Sequence, residues 1–451
     1  MNKNKTSPKS KVTDMTKGPI ASQILAFSLP LVAGNLFQQL YNTVDSVVVG
    51  HYVGKEALAA IGAITPISMT IIGFFMGLAS GASVVVSQYF GAKEFNKLKN
   101  CIHTMILGTV ICGIVLTFSG VFLTPLILHL MSTPDDVFAQ AKTYLQIYFA
   151  GILSVMLYNV CSGVLRALGD SKRPLYFLIL TSFVNIVLDL LFVIYFKLGI
   201  AGVAYATVIS QTIAASLVFL MMLKTKECYR VELKKLRIYK DALIKVLKQG
   251  FPGALQVSIT AFSNLFVIGY FNAFGSACLA GWSSFNRIDQ VSLLPIQSIA
   301  IGATTFVGQN HGANKNNRAK KGINVSVFLA FVFVAFLICA FEIFPEGLIS
   351  IFSKDEQVLK YGSFFLRTGA PFYLFRLLNQ VYAGALRGFG NASAPMFIFL
   401  FSFVLFRQAY LFVITRIFPS DFIPVAFAYP SGWCICGILM FLYYIRKPIK
   451  T

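Results

Sequence analysis

The stretch GASVVVSQYFGA, residues 81–92, returns as GATTFVGQNHGA at residues 302–313, which places Gln88 on Gln309 and Gly91-Ala92 on Gly312-Ala313. The offset is 302 − 81 = 221. GVLRALGDSKRP, residues 163–174, returns as GALRGFGNASAP, 384–395, and GKEALAA, 54–60, as GSACLAG, 275–281, both at that offset. Three blocks in one register establish an internal duplication. The segments that carry it are too apolar for a soluble protein, so the duplication bears on a membrane architecture.

The chain is 57% hydrophobic and 12% charged, which puts it among polytopic membrane proteins. Apolar runs long enough to cross a bilayer, about 20 residues each, fall near 24–50, 57–88, 98–124, 137–166, 174–196, 201–223, 242–272, 278–308, 321–343, 357–386, 395–417 and 422–445. The expected fold is therefore all-α: twelve transmembrane helices in two pseudo-symmetric six-helix bundles. Each repeat holds an even number of spans, so the two share one orientation and face each other across a central cleft, related by an axis along the membrane normal. The division is a basic tail over 1–17, an N-lobe over 18–223, a linker over 224–241 and a C-lobe over 242–451.

The formal charge of +21 suggests nucleic acid until the basic residues are assigned to loops. Lys3, Lys5, Lys9, Lys11, Lys17, Lys93, Lys97, Lys99, Lys172, Arg173, the basic residues of 224–248, Lys315, Arg318, Lys320, Lys321, Arg446, Lys447 and Lys450 all fall on one side. The other side holds little beyond Lys55, Lys197, Lys354, Lys360 and Arg416. This bias puts both termini in the cytoplasm, and the plasma membrane is the expected location. No nucleic-acid partner is expected, and a monomer surrounded by lipid is. The 224–248 stretch alternates charged and apolar residues; it suits a helix lying on the inner surface or a solvated loop.

The eight cysteines and four histidines are dispersed, which gives neither a disulfide framework nor a zinc constellation. The chain lacks a P-loop, and no nucleophile has a recognisable acid-base partner, so an enzyme is not expected and no cofactor is implied. The Gly-Ala pairs suit close helix packing. Arg166 and Arg387 mark cytoplasmic turns, each placed to neutralise a helix C-terminus.

The informative residues are charges inside spans, which cost about 2.5–3.5 kcal/mol each near a helix centre. On the first helix Gln38, Tyr41, Asn42 and Asp45 follow i, i+3, i+4, i+7 spacing and make one polar stripe. Ser182, Asn185 and Asp189 make another on the fifth. Counting about 1.5 Å per residue from the outer turns puts Asp45, Asp189 and Thr207 of the sixth helix in one slab of the outer half. Two carboxylates, an amide and a hydroxyl there make an oxygen-rich nest for Na⁺, or for a proton held by a carboxylate pair. A polar cluster that only joins helices is the alternative. Pro30, midway along the first helix, permits a kink there.

The duplication fails at this point. Asp45 corresponds to Phe266 or Val267, and Asp189 falls near Tyr410. The second half carries Arg287, Asp289, Arg367, Arg376 and Arg407, with Gln256, Thr260 and Asn264 striped along its first helix. With Gln38 and Asn42, the residues Gln256, Asn264, Arg287, Asp289, Arg367 and Arg376 are the expected lining of a substrate cavity. Interhelical pairing or snorkelling of the arginines is the competing account.

In YNTVDSVVVGHYVGKEALAAIG (41–62), VSQYFGA (86–92), VGQNHGA (307–313), GVLRALGDSKRP (163–174) and NIVLDLLFVIYFKLGIAGVAYATVIS (185–210), the chain resembles the multidrug and toxic compound extrusion (MATE) family. That family lies within a larger group containing polysaccharide and lipid-precursor flippases. The resemblance spans nearly the whole chain. It implies a V-shaped cleft between the lobes and efflux of amphipathic, often cationic compounds, antibiotics among them, driven by inward Na⁺ or H⁺. It matches Asp45 to a first-helix acid, Tyr41 to its neighbour, Asn185 and Asp189 to a fifth-helix pair, Thr207 to a sixth-helix hydroxyl and Pro30 to a bending proline. Some members place essential acids on the seventh and tenth helices; this chain has none at comparable depth there, and Asp289 on the eighth is its one acidic candidate in the second lobe. The expected function is an antiporter. A flippase for a lipid-linked or anionic precursor, gripping phosphate through Arg287, Arg367 or Arg376, is the second reading. A receptor or scaffold would tolerate change at all these sites.

Overall fold

The computed structural model describes residues 12–131, 133–419 and 421–446. Lys3, Lys5, Lys9, Lys11, Lys447 and Lys450 lie outside the described residues. The N-lobe comprises α1 (Ile20–Val48), α2 (Lys55–Gly91), α3 (Phe95–Leu130), α4 (Asp135–Ala150), α5 (Ile152–Ala167), α6 (Lys172–Leu190) and α7 (Gly199–Lys224). The C-lobe comprises α8 (Lys240–Asn272), α9 (Ser276–Gly312), α10 (Asn316–Ile343), the short α11 (Pro345–Ser350), α12 (Glu356–Gly369), α13 (Tyr373–Gly388), α14 (Ser393–Leu400), α15 (Arg407–Ile417), the short α16 (Phe422–Ala426) and α17 (Ala428–Arg446). A helix satisfies its own backbone, which is why lipid-facing sequence takes this form.

Among the described residues ten helical segments are long and apolar enough to span a bilayer, and the bent pair α4–α5 makes eleven. The twelfth expected run, 357–386, is α12–α13, interrupted by a tight turn at Ala370–Phe372 and loaded with Lys360, Arg367 and Arg376. Two-lobe, twelve-helix architecture holds. The fourth span of each lobe breaks at the same repeat position: α4 and α5 meet at Gly151 with a bend of 48°, and Phe372 is the repeat mate of Gly151 (372 − 151 = 221). The last expected run begins later than its apolarity suggests, because α16 and α17 divide it.

Among the described residues three segments are π-helical: Val49–Val53 after α1, Leu191–Tyr195 after α6 and Phe401–Phe406 before α15. Each adjoins a charged residue inside the protein, namely Asp45, Asp189 and Arg407. Widened turns of this kind tend to sit at functional sites. Helix α1 runs unbroken through Pro30.

Glycine brings the lobes together. Gly73, Gly77 and Gly81, one turn apart on α2, face Val257, the Gly253–Ala254 backbone and the Gln249–Gly250 backbone of α8; a Cβ on any of them would overlap its neighbour. Small residues at this spacing let backbones touch without a hydrophobic driving force. Farther along, Gly62 of α2 and Gly269 of α8 have nothing within 4 Å of a built Cβ, so the two helices diverge away from the basic face. The repeat mate of this contact is α1 against α9, where Ser28 donates to the Ser298 carbonyl at 3.2 Å and Gly302 packs on Ser28 and Phe27. The Gly-Ala blocks thus serve packing, as their composition indicated.

Beyond a short turn at Leu233–Lys235 the linker is irregular up to α8, so the surface-helix reading does not hold before Lys240. It is docked rather than solvated: Tyr229 and Val231 are buried, the Glu232 N–H donates to His103 at 3.1 Å and the Tyr239 N–H to Thr104 at 3.0 Å. Arg387 lies in the last turn of its helix, and its guanidinium also reaches Gln256 on α8 at 2.9 Å.

Candidate functional site

The polar stripes of α1 and α6 meet inside the N-lobe, joined by α7 and by α4. Tyr41, Ser182, Asn185, Thr207 and Ser210 line a cavity of about 10 Å³ together with Gln211, space for one water-sized occupant. The carboxyl groups of Asp45 and Asp189 face one another beside it. Tyr144 of α4 adjoins both acids, Tyr41 and the Thr207 hydroxyl, so it marks the centre of the cluster. Its ring stacks on Tyr148 one turn on, with centroids 6.4 Å apart. All five residues expected to hold the coupling ion are therefore in one place.

What distinguishes this cluster from ordinary helix-joining polar contacts is the state of its atoms. Asp45 Oδ1, both carboxylate oxygens of Asp189, both terminal atoms of Asn185 and the hydroxyls of Ser182, Thr207 and Ser210 are buried without a hydrogen bond of regular geometry. Each such group costs about 1–3 kcal/mol when nothing satisfies it. Most are oxygens, which suits a hard cation, a proton on the carboxyl pair, or water. Apolar packing is interrupted here: the N-lobe core divides into an inner cluster around Val86, Ile102 and Leu165 and an outer one around Val49, Leu145 and Phe149. The C-lobe has one continuous core.

The C-lobe residues behave differently. Asp289 is engaged by Arg376 and by the Tyr373 hydroxyl. Arg376 lies 4.5 Å from the Trp433 ring centroid, and Arg407 lies 4.9 Å from that of Tyr429. Arg407 is 1% exposed and donates to Ser263 at 3.0 Å and to Asn264 at 2.8 Å. Arg287 is exposed and packs over Phe352, Arg367 is exposed, and Gln256 is taken up by Arg387. Gln38 and Asn42 are exposed on α1, with Gln38 beside Tyr41. The arginines named for phosphate thus differ in setting, and interhelical pairing accounts for Arg376.

Sequence reasoning missed Tyr144 and Ser210. The only trace of Tyr144 was a pair of tyrosines one helical turn apart in an apolar run. Nothing in the sequence joined that pair to the acids.

The family described as MatE matches residues 30–191 and again 251–412, two segments whose starts differ by the repeat offset (251 − 30 = 221). The chain belongs to the MatE family. MatE proteins are membrane transporters, and this chain is a multi-pass membrane protein of that kind. It is 30% identical over 427 residues to the probable multidrug resistance protein YoeA of Bacillus subtilis, covering 93% of this chain and 92% of that one. With the multidrug export protein MepA of Staphylococcus saprophyticus identity is 23% over 441 residues, 96% of each chain. The fold matches a MOP superfamily transporter from Pyrococcus furiosus with TM-score 0.91 at 22% identity, and an outward-facing multidrug resistance MATE transporter with TM-score 0.90 at 22% identity, each over 98% of both chains.

Proposed function

We propose that this MatE protein is a secondary antiporter that exports amphipathic, often cationic compounds in exchange for Na⁺ or H⁺, acting as a monomer in the plasma membrane with both termini in the cytoplasm. The observation that carries the proposal is the convergence, in a single lobe, of two facing carboxylates with an amide and hydroxyls beside a cavity of about 10 Å³. An ion entering from outside binds Asp45 and Asp189, with Asn185 and Thr207 completing the oxygen shell and Tyr41 and Tyr144 closing over it. That binding draws α1 against α6 and α7 and favours release of the exported compound outward, with Pro30 as the bending point. Ion release inside resets the site. Coupling requires unequal ion affinity in the two states, since equal affinity would shift nothing. Kinship with relatives named for multidrug resistance and export supports the substrate class.

The test is uptake of a fluorescent organic cation into everted vesicles under separately imposed Na⁺ and pH gradients. One gradient should drive accumulation, and dissipating it should stop accumulation. Uptake indifferent to both would refute the proposal. The flippase reading, which named Arg287, Arg367 or Arg376, loses Arg376 to Asp289 and draws support only from Arg407, a buried guanidinium that forms no ion pair among the described residues.

A further inference from the structure

Gln88 of α2 and Gln309 of α9 are repeat mates, and each reaches into the opposite lobe. The Gln88 side-chain amide donates to the Gly388 carbonyl at 2.9 Å, and that of Gln309 donates to the Ala167 carbonyl at 3.0 Å. The acceptors also stand at the repeat offset (388 − 167 = 221), and each is the last residue of its helix, α13 and α5. Terminal carbonyls have no intrahelical partner, so each glutamine satisfies a group that its own helix cannot. Alongside, Gly91 lies against the Gln309 backbone carbonyl and Gly312 against that of Gln88, at separations that leave no room for a Cβ. The two bonds therefore exist only while the lobes are in contact at the basic face, and they break together when it opens.

The N-terminal segment removes the symmetry. The Met15 N–H donates to Gln309 Oε1 at 2.9 Å, so one of the two glutamines is held from both sides. The Met15 carbonyl accepts from Asn310 at 3.1 Å, the Thr16 carbonyl from Lys315 at 2.9 Å and the Gly18 carbonyl from Arg318 at 2.7 Å. The Met15 side chain is buried in the C-lobe core, whereas Val12 packs on the inner N-lobe core. Between them the Thr13 carbonyl sits over Gly169, whose φ of +81° and contact distance both exclude a side chain. The turn itself is fixed by Asp14, which accepts from the Thr16 N–H at 2.9 Å and its hydroxyl at 2.6 Å. Partial burial works against the Asp14 carboxylate, but these bonds with Lys17 and Lys315 hold its pKa below the usual range.

We propose that Gln88 and Gln309 are paired latches of the cytoplasmic gate, and that residues 12–18 are a strap that locks the Gln309 latch. On the C-lobe the strap is anchored by several hydrogen bonds and a fully buried methionine; on the N-lobe its contact centres on the half-buried Val12 and the Thr13 backbone. It therefore stays with α9 and α10 and lets go of the N-lobe at Val12–Thr13 when the inside opens. This role rests on the alternating-access reading above and gives it a locus far from the ion site.

The test is hydrogen–deuterium exchange by mass spectrometry on the full-length chain in nanodiscs. Gln88→Ala should raise exchange about five-fold at 86–92, 163–170, 302–313 and 384–391, the ordinary worth of one buried hydrogen bond, and Gln309→Ala, which also loses the Met15 bond, about 25-fold. The double variant should reach about 125-fold if the latches act independently. Met15→Pro, which removes the strap's donor together with its buried side chain, should raise exchange at the same four segments and within 12–18. Thr124→Val is the control, because that buried hydroxyl bonds its own helix at 2.6 Å near the far end of α3 and should leave these segments unchanged. Wild-type exchange in both glutamine variants, or an equal rise in Thr124→Val, would overturn the latch; a Met15→Pro pattern identical to wild type would overturn the strap. Exchange needs no drug or gradient, so either failure leaves the antiport proposal standing, and loss of antiport with this pattern intact counts against antiport alone.

Discussion

Asp189→Asn is the sharpest perturbation of the ion site. Asp189 is 0% exposed and its carboxyl faces that of Asp45, so the pair shares the ion or proton that occupies the site. Asparagine keeps the shape and removes the charge. A unit charge about 4 Å from a cation is worth about 4 kcal/mol at an effective dielectric constant of about 20. Ion affinity should therefore fall about 1,000-fold, at about 1.4 kcal/mol per decade. Folding should be unimpaired, since the change relieves a buried charge. Thr207→Val, which removes one neutral oxygen, should cost only about 1 kcal/mol, or about five-fold. The assay measures the ion concentration giving half-maximal gradient-driven export in proteoliposomes, with size-exclusion profiles confirming intact protein. An Asp189→Asn variant whose half-maximal concentration stays within ten-fold of wild type would refute the assignment of the carboxylate to the ion. So would an Asp189→Asn effect no larger than that of Thr207→Val.

Two further outcomes test the packing and the C-lobe. Gly62→Ala meets open space and should stabilise slightly, by the about 0.4–1 kcal/mol usual when unfolded-chain entropy falls. Gly81→Ala forces a methyl into the Gly250 backbone and should lower the thermal midpoint, at a cost of about 1–3 kcal/mol; equal midpoints would contradict the α2–α8 contact. Asp289→Asn should destabilise the chain by about 3–5 kcal/mol, because it strands the half-buried Arg376 guanidinium, and adding Arg376→Met should recover most of the loss in denaturant titrations. Full stability of Asp289→Asn alone would show that the pair carries no such burden.

The apolar runs made the helices legible, because an apolar stretch about 20 residues long has one way to satisfy its backbone in lipid. The constant register of the duplication made the lobes legible for the same reason. Asp45 and Asp189 announced themselves through the cost of charge at depth, and the helical spacing of Tyr41, Asn185 and Thr207 tied them to one slab. Less was readable where partners lie far apart in the chain. Arg387 stands in the last turn of its helix as its position indicated, but its reach to Gln256 was not legible. The linker alternated like a surface helix and is held as a loop by His103 and Thr104.

The sequence by itself determined twelve apolar runs, their duplication, the side on which positive charge gathers, and which half holds the acids. Periodicity and burial cost act within one helix, and they are written in local spacing. Only the tertiary structure decided that Tyr144 completes the acid cluster, that Asp289 is committed to Arg376, and that Gln88 and Gln309 reach across to the last carbonyls of the opposite lobe. Those pairings depend on how close two backbones come, which is set by glycines on one helix meeting glycines on another. A repeat can show that two residues are equivalent; contact between the lobes decides what each of them touches.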